Sequence, residues 1–341
     1  MNTGTGPVGE SFPITIVGGG LAGCMMAWAL RARGREVLLL DRGEEVTASR
    51  VAAGIINPVT GPKLTKTWRL EQLWPAALGF YHAIQEKTGR RIFRQMPLVR
   101  LLSSEQEAGQ WQKRLRSPGY AECLASHSLE PGRHVKEQHG ALTFEHSGYL
   151  DIREFISLTR EMLGENWRKG ELSEAQSTGI TLFCEGFPGA ANPLFEWVPF
   201  KPAKGEILTL SIAGLAGDRI LNCGGVWLLP VGEERFRCGA TYDWGCSDSK
   251  PTAEGRRVIE RRLGRFLQLP YEVIDHQAAV RPVVRESRLL CGMHPAHSRV
   301  GFFNGLGSKG VLNAPFFAGN FADYLCGSGF IDAEVDLCRN I

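Results

Sequence analysis

The stretch "PITIVGGGLAGCMMAWALRARGREVLLLD", residues 13–41, constrains the fold more than any other part of the chain. "ITIVG" is a short, β-branched apolar run, suited to a strand buried on both faces. A glycine turn follows, then "LAGCMMAWALRARG", which is rich in helix formers, lacks proline and closes at Gly34. "REVLLLD" reads as a second buried strand ending at Asp41. The whole predicts a βαβ unit with Gly18-x-Gly20-x-x-Gly23 at its first strand-to-helix turn. Gly18 allows the tight turn, Gly20 lets a pyrophosphate approach the backbone, and Gly23 lets helix and strand pack closely. Leu21 and Ala22 open the helix, whose free N–H groups suit phosphates. Asp41, about twenty residues on, can accept from ribose hydroxyls and would repel a 2′-phosphate. Arg42 beside it joins the expected binding set. A dinucleotide site follows, with NAD and FAD not yet separated.

The chain has 341 residues, enough for two substantial domains or one with a large elaboration. With 43% hydrophobic and 22% charged residues, global disorder is excluded. A formal charge of +3 is too small to argue for nucleic acid, though it does not exclude it. "EGRRVIERRLGRFLQL" (254–269) places Val258, Ile259, Leu263, Phe266 and Leu267 on one helical face, with arginines solvated around the rest. Nine scattered cysteines without CxxC suit reduced thiols and a cytoplasmic setting. Cys291, His294 and His297 raise zinc, but no fourth ligand stands nearby and Pro295 suggests a loop, so no metal is expected. No apolar run reaches membrane-spanning length. Residues 1–12 lack the regions of a signal peptide and read as a flexible tail.

Further segments separate the cofactors. "TASRVAAGIINPVTG" (47–61) is a small-residue loop with Ser49, Ala52, Ala53, Gly54 and Pro58. It resembles a segment of the D-amino acid oxidase/glycine oxidase family of FAD enzymes. "GYLDIREFI", "TLFCEGFPG" with Gly186, "FKPAKGEILTL", "FRCGATYDW", "AAVRPVV" and "NGLGSKGVLNAP" resemble further segments in the family's order, over roughly residues 13–327. The last loop also resembles the FAD oxidase domain of the bifunctional enzyme that modifies wobble uridine in tRNA. Two departures stand out. No D-G-x-P turn follows Arg281-Pro282, and Glu185 replaces a small residue before Gly186.

The resemblance implies an α/β fold, α+β overall: a Rossmann-like FAD-binding domain interleaved with an antiparallel-sheet substrate domain. Residues 13–90, 140–192 and 276–327 would form the first, and 91–139 and 193–275 the second, with 328–341 a C-terminal tail. Strand-like runs in "GEILTLSI", "GGVWLLPV" and "ERFRCGATYDW", with a turn at 232–234, agree with such a sheet. A helix is expected before Pro118-Gly119. The implied activity is oxidation of the C–N bond of an amino acid or secondary amine, with oxygen or a quinone as electron acceptor. A tRNA-modifying flavoenzyme acting on an aminomethyl-uridine, or a flavin-binding protein without turnover, are the alternatives. Arg281 is expected to grip a substrate carboxylate, with Arg285 second, since the guanidinium fork binds carboxylate bidentately. Tyr242 would close the pocket, Lys309 would support the reduced flavin, and Trp227 would be core.

A second glycine pattern, Gly305-Leu306-Gly307-Ser308-Lys309-Gly310, invites a second dinucleotide site. Too little chain follows for a returning strand with a terminal acid. It is read instead as a loop bringing backbone N–H groups and a helix N-terminus to the flavin ring. Pro315 predicts that this helix begins only near Leu312–Ala314.

Overall fold

The structure is a computed structural model and describes residues 14–125, 130–172 and 179–339. The expected tail at residues 1–12 lies outside the described residues. The βαβ unit forms as read: strand Ile14–Val17, helix Leu21–Arg31, strand Val37–Asp41. The two strands pair in parallel, Ile14 with Val37 through Val17 with Leu40. The helix is buried from Leu21 to Leu30. Its apolar residues run all round because it packs between this sheet and the helices Ile152–Leu163 and Gly310–Leu325.

Six strands make the first sheet, in the order Trp167–Lys169, Val37–Asp41, Ile14–Val17, Ile180–Phe183, Val300–Asn304, Leu290–Met293. All pairs are parallel except the last. The chain leaves Ile14–Val17 toward one side and later returns on the other. A crevice therefore opens at the C-terminal strand ends, where parallel sheets bind ligands.

The second sheet has seven strands: Glu272–Arg281, Ala203–Ser211, Arg235–Gly239, Val226–Gly232, Ile220–Cys223, Leu98–Leu101 and Ala141–Phe144. It is antiparallel but for one parallel pair, Ile220–Cys223 with Leu98–Leu101. Its hairpin turns at Glu233 and Glu234, with φ of 53° and 56°, the two positive values a tight two-residue turn needs. Ala141–Phe144 and the strand ending at Arg281 belong to this sheet, beyond the expected boundaries at 140 and 276. Helix Ala253–Leu263 lays Ile259 and Leu263 on it, with Phe266 and Leu267 following, and keeps Arg256, Arg257 and Arg261 exposed. The helix expected before Pro118-Gly119 forms over Glu105–Arg114, with Ser104 accepting from the Glu107 N–H.

Two expectations fail near the C-terminus. The last long helix runs from Gly310 to Leu325, so Pro315 stands inside it rather than in its first turn. Proline removes the N–H that would meet the Val311 carbonyl. Tyr81 replaces it: its hydroxyl donates to Val311 O at 2.6 Å from a fully buried position. Its ring stacks on Phe93 at 5.0 Å. Tyr81→Phe leaves that carbonyl buried without a donor, and urea denaturation should show a loss of about 2 kcal/mol. The segment after the helix is no loose tail. Cys291 N–H donates to Val335 O at 2.8 Å, Leu337 N–H donates back to Cys291 O at 2.9 Å, and both Val335 and Leu337 are fully buried.

Candidate active site

A cavity of about 600 Å³ lies between the C-terminal ends of the first sheet and one face of the second. Ligand sites span about 300–1,000 Å³. Gly18, Gly20, Leu21, Ala22, Asp41 and Arg42 line it from the βαβ unit. Gly23 does not, because its work is packing: a Cβ there would sit 1.9 Å from the Gly18 carbonyl oxygen. The Asp41 carboxylate accepts the Gly19 N–H at 2.7 Å and the Gly43 N–H at 2.8 Å. Each oxygen keeps a further acceptor position for a hydroxyl. The helix Leu21–Arg31 has no side-chain cap at Gly20, and Ser49 Oγ accepts the Leu21 N–H at 2.9 Å.

Ser49 stands on a one-turn helix, Ala48–Val51, where only a loop was expected; Thr47 caps it through the Arg50 N–H. Ala52, Ala53 and Gly54 continue along the cavity wall. Arg237, from the second sheet, donates to the carbonyls of Val51 and Ala52, at 2.7 Å for the latter. Burial lowers its guanidinium to about 10. Asn304 joins two other lining loops, donating to Gly186 O at 2.8 Å and accepting the Gly305 N–H at 2.8 Å. Neither Arg237 nor Asn304 was picked out from sequence. Asn304 ends a strand that leads into a glycine motif, which is the signal available for it, whereas Arg237 sits in mid-strand with none.

Gly186 lines the cavity, and so does Glu185 beside it, whose carboxylate has partners of its own. It accepts from Asn192 Nδ2 at 2.8 Å and lies 3.8 Å from Arg42. From the last loop, Leu306, Gly307, Ser308 and Gly310 line the cavity, while Gly305 packs against Val284. Lys309 is not on the wall. It is half-buried at the N-terminal end of the helix Gly310–Leu325, and burial lowers its ammonium. Among the described residues it has no ion pair, and a helix N-terminus disfavours a cation.

The second sheet contributes Gly205, Ile207, Trp227, Ala279 and Arg281. Trp227, expected in the core, is half-buried in this wall. The Arg281 guanidinium lies 4.1 Å over the Tyr242 ring, and Nη1 and Nη2 each donate to Thr241 O at 3.3 Å. Gly205 makes its seat: a Cβ there would fall 2.0 Å from Nη2. Burial lowers the Arg281 guanidinium, and among the described residues no carboxylate pairs with it. Tyr242 stands in the loop after Arg235–Gly239, 47% exposed at the cavity rim, and tilts against Trp244 at 5.4 Å. Arg285 is exposed, off the cavity, and drops out as an anchor. Cys291 is buried in the core, His294 meets Leu194 O, and among the described residues no His/Cys/Asp/Glu group could hold a metal.

A helix N-terminus entered through Gly20, an acid at the end of the neighbouring strand and a wall of glycines suit a pyrophosphate and ribose. Lys309, with no ion pair among the described residues, stands between the lining residues Ser308 and Gly310. These residues fit FAD. A family model described as DAO, FAD dependent oxidoreductase, matches residues 13–166 and 169–324. The chain belongs to this family. As a member it is a FAD-dependent oxidoreductase, and FAD is its cofactor.

Among curated relatives, the chain is 23% identical over 352 aligned positions to the tRNA 5-methylaminomethyl-2-thiouridine biosynthesis bifunctional protein MnmC of Marinobacter nauticus. The alignment covers 92% of this chain and 55% of that one, so the chain spans about half the relative's length. Iminodiacetate oxidase from Chelativorans sp. BNC1 has the same fold, with a TM-score of 0.77, 19% identity, and coverage of 96% of this chain and 98% of that one. Glycine oxidase from Geobacillus kaustophilus superposes with a TM-score of 0.75 at 19% identity, covering 97% and 100%. Among the described residues of this DAO-family chain, no helix is long and apolar enough to cross a membrane.

Proposed function

We propose that the chain oxidises the C–N bond of an amino acid or secondary amine. The observation that carries this reading is Arg281: a half-buried cation in the cavity wall, seated by Gly205, with no carboxylate partner among the described residues. A substrate carboxylate would complete it through the guanidinium fork. Tyr242 lies on the other face of that guanidinium and bounds the pocket on the solvent side. The glycine loops at Gly18–Gly23 and Gly305–Gly310, with Ser49, Ala52–Gly54, Asp41, Arg42 and Gly186, would hold FAD. Bound FAD supplies a hydride acceptor at N5. Lys309 would favour negative charge at the pyrimidine end, and Lys309→Met should then lower the flavin's reduction potential. Dioxygen or a quinone would re-oxidise the enzyme, and a cytoplasmic setting suits the nine free cysteines.

The test is anaerobic. Amino acids and secondary amines are added to purified holoprotein, and the absorbance of bound flavin is followed. Bleaching by a carboxylate-bearing amine supports the reading. A flavin that bleaches neither with these amines nor with tRNA would favour a binding protein without turnover.

A second reading has its own support. The match to MnmC covers most of this chain, and the Tyr242–Trp244 pair, with Lys201 Nζ 5.0 Å over Trp244, could receive a base. The substrate would then be an aminomethyl-uridine in tRNA. Binding of tRNA that weakens steeply with salt would favour it.

A further inference from the structure

We propose that Lys204 is a positioning residue: through Asp248 it holds residues 243–252 as a strap that keeps Trp244 packed against Tyr242 at the cavity mouth. The proposal rests on the reading that an amine substrate enters past Tyr242. Lys204 belongs to the strand Ala203–Ser211, in which Gly205 and Ile207 line the cavity. Strand residues alternate, so Lys204 and Glu206 project from the other face. The Lys204 side chain is 2% exposed, and a buried ammonium requires a partner. No neighbouring strand supplies it. The partner is Asp248 Oδ1 at 2.7 Å, with Cys246 Sγ at 3.7 Å.

Asp248 is itself tied into the strap. Its Oδ1 accepts the Lys250 N–H at 2.8 Å, and Cys246 Sγ lies 3.3 Å from Oδ2. The two ends of the strap are anchored independently. Asp243 exchanges backbone hydrogen bonds with Lys204 at 2.8 and 3.0 Å. Thr252 gives Glu206 its N–H at 2.9 Å and its hydroxyl at 2.7 Å, and caps the helix Ala253–Leu263. Between these ends, among the described residues, Lys204 makes the side-chain hydrogen bonds from the sheet. Trp244 lies in that stretch, 50% exposed. Releasing the middle loosens Trp244, and with it the ring packed against Tyr242, while Asp243 stays paired and the helix stays capped.

The pair is asymmetric, since the ammonium is buried and the carboxylate is 54% exposed. Asp248→Asn leaves a buried charge unpaired; Lys204→Met removes the charge and keeps the stem. Asp248→Asn should therefore lower the melting temperature more than Lys204→Met, and the double variant should recover part of the loss.

The deciding experiment uses the holoprotein. Chymotryptic cleavage after Trp244, read by mass spectrometry, should run about tenfold faster in Lys204→Met. KM for the amine should rise about fivefold, with kcat and the bound-flavin spectrum unchanged. Unchanged cleavage overturns the strap. Faster cleavage with an unchanged KM overturns its role at the mouth. Failure of the amine reading shows elsewhere, as absent turnover in the unaltered protein, while the cleavage comparison still decides whether Lys204 holds the strap.

Discussion

Arg281→Met should raise KM for a carboxylate-bearing amine about a hundredfold, yet leave the protein no less stable to heat. The first half follows from the missing partner. A buried guanidinium completed by a substrate carboxylate contributes about 3 kcal/mol of binding, lost when one side is truncated. By the usual conversion of about 1.4 kcal/mol per decade, that is two decades. The second half follows from the same geometry. Without substrate, Arg281 holds a desolvated charge against a ring and two 3.3 Å contacts to one carbonyl. Burial already lowers its guanidinium, the sign of a cation poorly compensated by its surroundings. A methionine of similar length removes that cost. A structural arginine would behave in the opposite way, with a lower melting temperature and an unchanged KM. An amine lacking the carboxylate provides the internal control, since its KM should move little.

The cofactor half of the site was legible because its chemistry is local in sequence. Strand, glycine turn, helix and terminal acid all fall within residues 14–41, and backbone geometry dictates each residue type. The ordered segments 47–61 and 305–310 extended that reading, and the structure brings most of them to one cavity. What was not legible depends on contacts between distant segments. Pro315 leaves the Val311 carbonyl without its helical donor, and Tyr81, 230 residues from Val311, supplies one. Arg237 reaches the loop at Val51–Ala52 across 185 residues, so nothing around "RFRCG" announces it. Trp227 was assigned to the core because hydropathy does not distinguish a core from a cavity wall. The run 328–339 looked like a tail because its two buried apolar residues, Val335 and Leu337, pair with a strand edge that its own sequence does not reveal.

The glycines permit a sharper test than the charged groups, because two helical glycines should respond to alanine with opposite signs. Gly79 lies exposed within the helix Leu70–Thr88, and a Cβ there meets nothing within 4 Å. Gly79→Ala restricts the unfolded chain and should stabilise by about 0.5–1 kcal/mol. Gly23 has ordinary helical surroundings in sequence and a different fate in space. Its Cβ would lie 1.9 Å from the Gly18 oxygen and 3.1 Å from the Ile16 side chain. Backbone cannot rotate away as a side chain can, so the helix must move off the strand. Forced overpacking of this kind costs about 3 kcal/mol. The displacement also carries Leu21 and Ala22, whose N–H groups open the helix at the cavity. Gly23→Ala should therefore purify with little bound flavin, read as a collapse of the flavin-to-protein absorbance ratio, while Gly79→Ala keeps it. Equal flavin content in the two variants would mean that the close helix–strand approach does not shape the cofactor site.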